Sequence, residues 1–311
     1  GTHHFIRTCR EVSNTNAMSV IKIADNGGHT ITLTNIDGYH ITCFTPPKIL
    51  SEIFNNIPRL KCRYDDVFIC APVKSGTHWI WQIVSMLLNG NAEIVLISKE
   101  TQMLECMPSE IIDEIPSPRV LNSHLHLSRL PKEALEKKCK IVLILRNPRD
   151  LAVSYYHHCK GICCYEYDGM FENFLPLFLE GKLEYNNFLD YVVEWEKAME
   201  ERSDIHLIYY EDIKTNCFDE VLNLAFFLGV ACTDDLLREI SDKCNFEQMV
   251  ANKEKHIPEE VRKAIFKENF SMYREGATGD WKNTFTVAQN EYFESMFLEK
   301  MKNSKLLRRY T

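Results

Sequence analysis

The chain has 311 residues, of which 45% are apolar and 26% are charged, and its formal net charge is −8. This balance is typical of a globular protein that forms one large α/β domain or two ordinary ones. The acidic charge disfavours a general nucleic-acid binder, which usually carries a basic face, so any anion site has to be a local cluster of cations.

The 12 cysteines are scattered and form no C-x-x-C pair, which favours free thiols in a reducing compartment over a disulfide framework. The sequence contains no N-terminal apolar leader and no apolar run of about 18 residues. We therefore expect a soluble, cytoplasmic protein. Residues 1–17 are polar and unpatterned, and we interpret them as an extension.

The first regular pattern along the chain is "HTITLTNIDGYHITCF" (29–44), in which apolar and polar residues alternate around Asp37-Gly38. An Asp-Gly pair between alternating runs is a strong β-hairpin signal. The sequence thus predicts that residues 1–44 form the extension and a β-hairpin, and that residues 45–311 form the main domain.

From residue 67 onwards, apolar strand-like runs alternate with helical segments. The predicted strands are residues 67–71, 119–124, 140–146 and 206–211. This alternation predicts an α/β domain with a central parallel, doubly wound sheet flanked by helices. Such sheets bind ligands beyond the carboxyl ends of their strands, which is where the sequence places Lys74, His124, Arg146 and Tyr210.

Helical periodicity covers the segments "MFENFLPLFLEG" and "NFLDYVVEWEKAMEER", and a last helix is predicted near residues 287–302. Residues 253–283 are polar, contain two glycines and show no periodicity. Long loops inside compact domains are often functional, so we interpret this stretch as a functional loop, with disorder as the alternative.

The stretch "VFICAPVKSGTHW" (67–79) joins a strand to a helix through a short loop that contains Lys74 and Gly76. Such a loop before a helix N-terminus is suited to phosphate-sized groups. A Walker loop would place its lysine after the second glycine, and the sequence shows no strand-end carboxylate for magnesium. A P-loop kinase is therefore the less favoured alternative.

Two further stretches carry cations that suit an anionic ligand. "RNPRDLAVSYYHH" places Arg146 at a strand end and Ser154 on the following helix, and "YREGATGDWKNTFT" contains Arg274 and two glycines. A single arginine is more often a surface ion-pair partner. Together with the lysine loop, however, the stretches predict a ligand that is dinucleotide-like or doubly phosphorylated.

The motifs "KSGTHW", "RNPRDLAVSYYHH", "IYYED" and "REGATGDWKNTFTVAQNEYF" resemble those of the cytosolic sulfotransferases, in the same order and at similar distances. The resemblance covers the chain from about residue 45 to 302 and implies that residues 45–311 are a sulfotransferase domain. It also implies a P-loop-like phosphosulfate-binding loop and 3′-phosphoadenosine 5′-phosphosulfate (PAPS) as the donor, with no metal ion.

The resemblance further implies which residues bind the donor. Those of the phosphosulfate loop are Lys74, Ser75, Gly76, Thr77 and His78, followed by Trp79 on the adenine. Those that hold the 3′-phosphate are Arg146, Ser154, Arg274, Glu275 and Gly276, and those beside the purine are Tyr210, Cys244 and Phe246. The family pattern has threonine in place of His78 and Cys244, and lysine in place of Glu275.

The family's K-T-H-L segment corresponds to residues 122–125, "NSHL", which implies that His124 is the general base. An imidazole with an ordinary pKa near 6.5 can accept a hydroxyl proton at neutral pH. His126 is the nearest alternative. Because Asn122 replaces the lysine of the pattern, we expect the site to lack one cation beside the reacting oxygens.

The segment "KNTFTVAQNE" (282–291) matches the pattern that marks a homodimer contact in this family, which implies a contact through Lys282, Thr286, Val287 and Glu291. The alternative is an ordinary helix N-terminus capped by Thr286. A second segment, "HHCKGICC" (157–164), fits no usual zinc spacing, so we expect no metal there.

The resulting hypothesis is a PAPS-dependent sulfotransferase with His124, Lys74 and Asn122 at the catalytic centre. It would act on a hydroxyl or amine of a small molecule, without nucleic-acid or membrane partners. A nucleotide-binding protein without turnover is the second alternative, because Asn122, Cys244 and Glu275 are altered. Phenols, steroids, alcohols and amines share this scaffold, so the sequence does not name the acceptor.

Overall fold

The computed structural model describes residues 18–42, 45, 47–244, 259–268, 270 and 278–311. The chain divides into two compact units. The first comprises Gly1–Glu52, Pro148–Glu196 and Ile257–Thr311, and the second comprises Ile53–Asn147 and Lys197–His256. The domain boundary between residues 44 and 45 stays a prediction.

The predicted strands occur in the predicted order, and a further strand, Met18–Ala24, precedes them. The strands are β1 (Met18–Ala24), β2 (Thr30–Ile36), β3 (Tyr39–Ile41), β4 (Val67–Cys70), β5 (Val120–Ser123), β6 (Lys140–Leu145) and β7 (Ile205–Tyr209). The helices are α1 (Pro47–Asn56), α2 (Thr77–Asn89), α3 (Ser109–Glu114), α4 (Lys132–Glu136), α5 (Pro148–Gly161), α6 (Phe171–Leu179), α7 (Phe188–Glu201), α8 (Tyr210–Thr215), α9 (Cys217–Leu228), α10 (Asp234–Lys243), α11 (Glu259–Ile265), α12 (Trp281–Thr284) and α13 (Val287–Asn303). Among the helices of the described residues, none combines the length and the apolar character that crossing a bilayer requires.

The first unit contains the antiparallel sheet β1-β2-β3. Strands β2 and β3 form the predicted hairpin, in which Thr34 pairs with Ile41. The turn residues Asp37 and Gly38 have φ values of +50° and +82°. A two-residue hairpin turn needs such left-handed conformations, and Asp and Gly adopt them more readily than other residues.

The second unit contains a parallel sheet with the strand order β5-β4-β6-β7. Ile69 of β4 pairs with Asn122 of β5 and with Val142 of β6. Every residue of β4 and β5 is buried, because α2 packs on both strands. The predicted central parallel sheet flanked by helices is therefore confirmed.

The strand order also locates the crevice in which ligands of such sheets bind. From β4 the chain crosses to β5 on one side, and from β6 it crosses to β7 on the other side. The loops that follow β4 and β6 therefore lead away from each other and leave a crevice between the carboxyl ends of these two strands.

A buried ion pair between Arg119 and Asp66 holds the starting ends of β4 and β5. Both side chains are fully buried. Arg119 donates from Nε to Asp66 Oδ1 at 2.8 Å and from Nη2 to Asp66 Oδ2 at 2.6 Å. Val67 N also donates to Arg119 O at 2.9 Å, so the pair fixes the alignment of the two strands.

Two helices overlap residues 253–283, a stretch that we predicted to be without regular structure. These are α11, with seven residues, and α12, with four. Segments of one or two turns are too short to show a 3.6-residue period, which explains the difference. The remaining residues of the stretch that we interpreted as a loop lie largely outside the described part of the chain.

Candidate active site

Four candidate residues follow the carboxyl ends of the four parallel strands. His124, Arg146 and Tyr210 each come directly after β5, β6 and β7, and Lys74 comes four residues after the end of β4. Because parallel strands end at the same edge of the sheet, the predicted placement of these residues is confirmed.

The loop between β4 and α2 has the backbone geometry of an anion site. Lys74 and Gly76 have φ values of +68° and +104°, and Gly76 is the residue before the first turn of α2. A Cβ atom on Gly76 would lie 2.8 Å from Tyr210 Cδ2, so a larger residue does not fit. The N–H groups of the first helical turn lack intrahelical partners and attract anions.

Arg146 joins this loop to the neighbouring strand ends. Its Nη1 donates to Lys74 O at 3.0 Å, and its guanidinium lies 4.3 Å from the centre of the Tyr210 ring. Trp79 meets the same ring edge-to-face, with the ring centres 5.7 Å apart. The loop, the arginine and the two aromatic rings therefore form one packed cluster.

Two buried polar atoms of this cluster have no hydrogen-bond partner within the described residues. These are Ser75 Oγ and Arg146 Nε, and Ser75 is fully buried. A buried hydroxyl and a buried guanidinium N–H without partners are costly unless a ligand supplies an acceptor. Together with the tight fit at Gly76, they suit an anionic nucleotide held by the loop.

The His124 ring is held in one tautomer. Its Nδ1 lies 2.8 Å from Ala71 O, and a carbonyl can only accept, so Nδ1–H donates. In the neutral ring the basic lone pair is then on Nε2. Burial lowers the pKa of His124 most, the Lys99 ammonium lowers it further, and the resulting value of about 3 keeps the ring neutral near pH 7.

Glu105 supports the backbone of the same residue. His124 N donates to Glu105 Oε1 at 2.6 Å. Burial raises the pKa of Glu105 to about 7, although this hydrogen bond opposes the rise. The carboxyl therefore changes its charge near neutral pH while it accepts the backbone N–H of His124.

Asn122 replaces the lysine of the family pattern, but a lysine from another segment lies beside it. Lys99 Nζ donates to Asn122 Oδ1 at 3.3 Å, and Asn122 Nδ2 donates to Lys99 O at 2.8 Å. The Lys99 side chain is only 4% exposed. The amide of Asn122 thus binds the lysine at both ends.

Glu100 connects this lysine to His78, which follows the loop between β4 and α2 (residues 71–76). We call this loop the donor loop, because the family resemblance assigns the donor to it. Its Oε1 lies 3.3 Å from Lys99 Nζ and 3.1 Å from His78 Nε2. Burial alone would raise the pKa of Glu100, but the Lys99 charge and His78 hold it well below its ordinary range. His78 and Asn122, two departures from the family pattern, are thus joined by the adjacent Lys99 and Glu100.

The structure describes three of the seven remaining predicted site residues, Ser154, Thr77 and Cys244. Ser154 lies half-buried on α5, in the first unit. Thr77 begins α2, and Cys244 is buried with its Sγ 3.7 Å from Met86 Sδ. Phe246, Arg274, Glu275 and Gly276 lie outside the described residues.

Sequence reasoning missed Lys99, Glu100 and Glu105. They lie in "SKETQMLEC" (98–106), which contains no regular periodicity and belongs to none of the motifs. Their contacts with residues 78, 122 and 124 depend on how the chain folds between α2 and β5. Adjacent charged residues in a segment without periodicity are usually exposed to solvent. The sequence therefore carried no signal that Lys99 and Glu100 would be close to the site.

The segment "HHCKGICC" shows ordinary side-chain packing. His158 Nε2 lies 3.3 Å from the Tyr165 hydroxyl, and the rings of His157 and Tyr156 are in contact. Across the described part of the chain, no group of three or more His, Cys, Asp or Glu side chains is arranged to hold a metal ion. The cysteines of that part are free thiols.

Comparison with known proteins identifies the family. The sulfotransferase domain matches residues 64–305. The chain is 36% identical to sulfotransferase 1B1 of Canis lupus familiaris, over 81% of this chain and 89% of that protein. It is 35% identical to sulfotransferase 1E1 of Cavia porcellus, over 82% and 89% of the two chains.

A solved structure supports the same assignment. The mouse sulfotransferase SULT7A1, crystallised as a complex with PAP, is 27% identical and superimposes with a TM-score of 0.76. The match covers 89% of this chain and 97% of the mouse protein. With the domain match and the curated relatives, this result shows that the chain belongs to the sulfotransferase family and is an enzyme of that family.

Proposed function

We propose that this enzyme transfers the sulfuryl group of PAPS to a hydroxyl, or an amine, of a small-molecule acceptor, with His124 as the general base. The observation that carries the proposal is the hydrogen bond from His124 Nδ1 to Ala71 O. Ala71 begins the donor loop, so this bond supports a general base beside that loop, with the basic lone pair on Nε2.

The donor residues are assigned by the family pattern and supported by the loop geometry. Ser75 Oγ and the N–H groups at the start of α2 would bind the 5′-phosphosulfate, and Arg146 would bind the 3′-phosphate. Trp79 and Tyr210 would contact the adenine. The further candidates for the 3′-phosphate are Ser154, Arg274, Glu275 and Gly276, and those for the purine are Cys244 and Phe246.

The donor supplies an activated sulfuryl group whose bond to a phosphate oxygen breaks as the acceptor oxygen bonds to sulfur. The electron pair of the broken bond stays on the phosphate, and Lys74 offsets this developing charge. His124 Nε2 takes the proton of the acceptor hydroxyl. The packed loop would hold the sulfuryl group in line with the acceptor oxygen. Such prior alignment lowers the entropic cost of bringing the two reactants together.

The pattern in residues 282–291 leads us to propose, in addition, that the enzyme is a homodimer. Val287 is an apolar residue with 78% of its surface exposed, and Thr286 caps α13 through reciprocal bonds with Gln289. An exposed valine at a helix start suits a short contact around a two-fold axis, with Lys282 meeting Glu291 of the partner subunit.

Incubation with labelled PAPS and a panel of phenols, steroids, alcohols and amines, without magnesium, tests the activity. We expect labelled product from at least one class of acceptor, together with PAP. Tight PAPS binding without transfer to any acceptor would instead select the nucleotide-binding alternative. Magnesium-dependent transfer from ATP would revive the kinase alternative.

A further inference from the structure

The position of Lys99 is unusual for a lysine. It begins a 3₁₀ turn, Lys99–Gln102, and is 3% exposed, although lysine is among the residues least often buried completely. Burying an ammonium group costs several kcal/mol unless close partners compensate. The burial of the Lys99 ammonium therefore requires a physical explanation.

The partners of Lys99 compensate the charge only in part. Its Nζ has two oxygen acceptors, Asn122 Oδ1 and Glu100 Oε1, both at 3.3 Å. The third contact is the thioether of Met103, with Sδ at 3.9 Å. Because a thioether is a weak acceptor, a ligand oxygen would replace it with a gain in hydrogen-bond energy.

Two contacts link this ammonium to the residues that follow the donor loop and to the strand that leads to His124. Glu100 links it to His78, in the first turn after the donor loop. Asn122 links it to the end of β5, two residues before His124. The charge of Lys99 also acts on His124 itself, since it is the second cause, after burial, of the low pKa of that residue.

We propose that Lys99 binds the sulfuryl oxygens of the donor and stabilises the group during transfer. This inference rests on the proposed function, because it needs a donor in the loop. Asn122 is then a positioning residue: it carries no charge, and both ends of its amide hold Lys99 in place. Glu100 fixes the ammonium from the other side and ties it to the donor loop.

The structure also explains why residue 122 is not itself a cation. Asn122 Oδ1 lies 3.3 Å from Lys99 Nζ, and a lysine at position 122 would bring a second ammonium into this buried site. Two like charges at such a distance destabilise each other strongly at low dielectric. The amide and the buried lysine therefore form one functional pair.

Lys99→Met tests the proposal, because it keeps the length of the side chain and removes the charge. We expect about a 10-fold or greater loss of PAPS affinity, and an affinity for PAP unchanged within about twofold, by calorimetry without acceptor. We also expect kcat to fall by about 100-fold. The control is Lys132→Met, which removes an exposed lysine of the same unit.

Two further variants separate charge from packing. Lys99→Arg keeps a cation and should retain most of the preference for PAPS over PAP. Lys99→Met combined with Asn122→Lys moves the cation to the neighbouring strand and should recover at least part of that preference. If Lys99→Met does not fold, Lys99→Gln with Glu100→Gln replaces both charges by neutral groups, and the same affinity ratio is measured.

The proposal is wrong if the variants that remove the charge of Lys99 keep the PAPS-to-PAP affinity ratio of the wild type. It is also wrong if Lys99→Arg and the double variant with Asn122→Lys lose as much of that ratio as Lys99→Met does. A failure of the proposed function is a different result. In that case the wild-type protein itself would transfer no sulfuryl group to any acceptor of the panel.

Discussion

Two buried ionisable residues, Glu105 and His124, meet at the carboxyl end of β5. The carboxylate accepts the backbone N–H of His124, while the ring donates to Ala71 O. Burial raises the pKa of Glu105 to about 7 and, with the Lys99 charge, lowers the pKa of His124 to about 3. Both shifts favour the neutral forms, because burial penalises the charged form of each group.

Glu105→Gln should change how stability depends on pH. The folded protein holds the Glu105 proton up to about pH 7, whereas the unfolded chain releases it near pH 4.5, so this residue lowers stability as pH rises through that window. The penalty reaches about 3 kcal/mol above pH 7.

We therefore expect urea unfolding to show that Glu105→Gln gains stability relative to wild type between pH 5 and pH 8, by about 3 kcal/mol. Glu110→Gln, at an exposed carboxyl of the same unit, is the control. A difference between Glu105→Gln and wild type that stays constant with pH would show that Glu105 does not titrate in this window.

Arg146→Ala should weaken PAPS binding by about 10- to 100-fold, because a charge-assisted contact with the 3′-phosphate contributes about 1.5–3 kcal/mol. An analogue without the 3′-phosphate should lose much less. Its residual loss reports the contact of Arg146 with Lys74 O. Arg59→Ala, at an exposed arginine, is the control, and equal losses for both ligands would refute the assignment of the 3′-phosphate.

The donor loop follows β4 and His124 follows β5, so the alignment of these two strands determines the relative position of the loop and His124. The buried pair Arg119–Asp66 fixes the opposite end of these strands, where Val67 N donates to Arg119 O. A slip of one residue would move His124 away from Ala71 and reverse the faces of the strand. The ion pair thus supports the active site without touching it.

Asp66→Asn should destabilise the protein by about 3 kcal/mol, because it leaves the Arg119 guanidinium buried without a full counter-charge. Denaturant unfolding should show a lower midpoint with an unchanged m value. The neighbouring residue provides the control, since Asp65 is exposed. If Asp66→Asn costs no more than Asp65→Asn, the buried pair does not hold the strand ends.

The elements that were predicted correctly are those whose residues repeat with a clear period or form a continuous apolar run. Strands β4 to β7 and helix α2 follow the sequence within a few residues. The turn at Lys99–Gln102 could not be predicted, because its contacts with Asn122 join residues 23 positions apart and follow no local rule. The sequence therefore predicted the strand ends that His124 and the loop before α2 follow, and it missed the lysine beside Asn122.

At the scale of the whole molecule, the family pattern in residues 282–291 suggests a contact between two copies of this chain. Val287 is the most informative residue, because it is apolar and 78% exposed at the start of α13. The cap formed by Thr286 and Gln289 accounts for the start of the helix. It does not account for an exposed valine at position 287.

Val287→Glu should yield a folded protein of lower mass, because two carboxylates would approach each other across the two-fold axis of the proposed dimer. Sedimentation velocity measures the mass. Met296→Glu, on the opposite face of the same helix, introduces the same charge at a residue that is 41% exposed, and it should leave the mass unchanged. An unchanged mass for Val287→Glu would contradict the proposed dimer contact.

The most direct test of the account is the transfer rate of His124→Ala, measured with labelled PAPS and the best acceptor of the panel. Removing the base should lower kcat by about 10²- to 10⁴-fold, while PAPS affinity by calorimetry should stay within a few-fold of the wild type. His126→Ala, which removes the nearest alternative base, should retain activity. A fully active His124→Ala protein would contradict the central claim that this residue takes the acceptor proton.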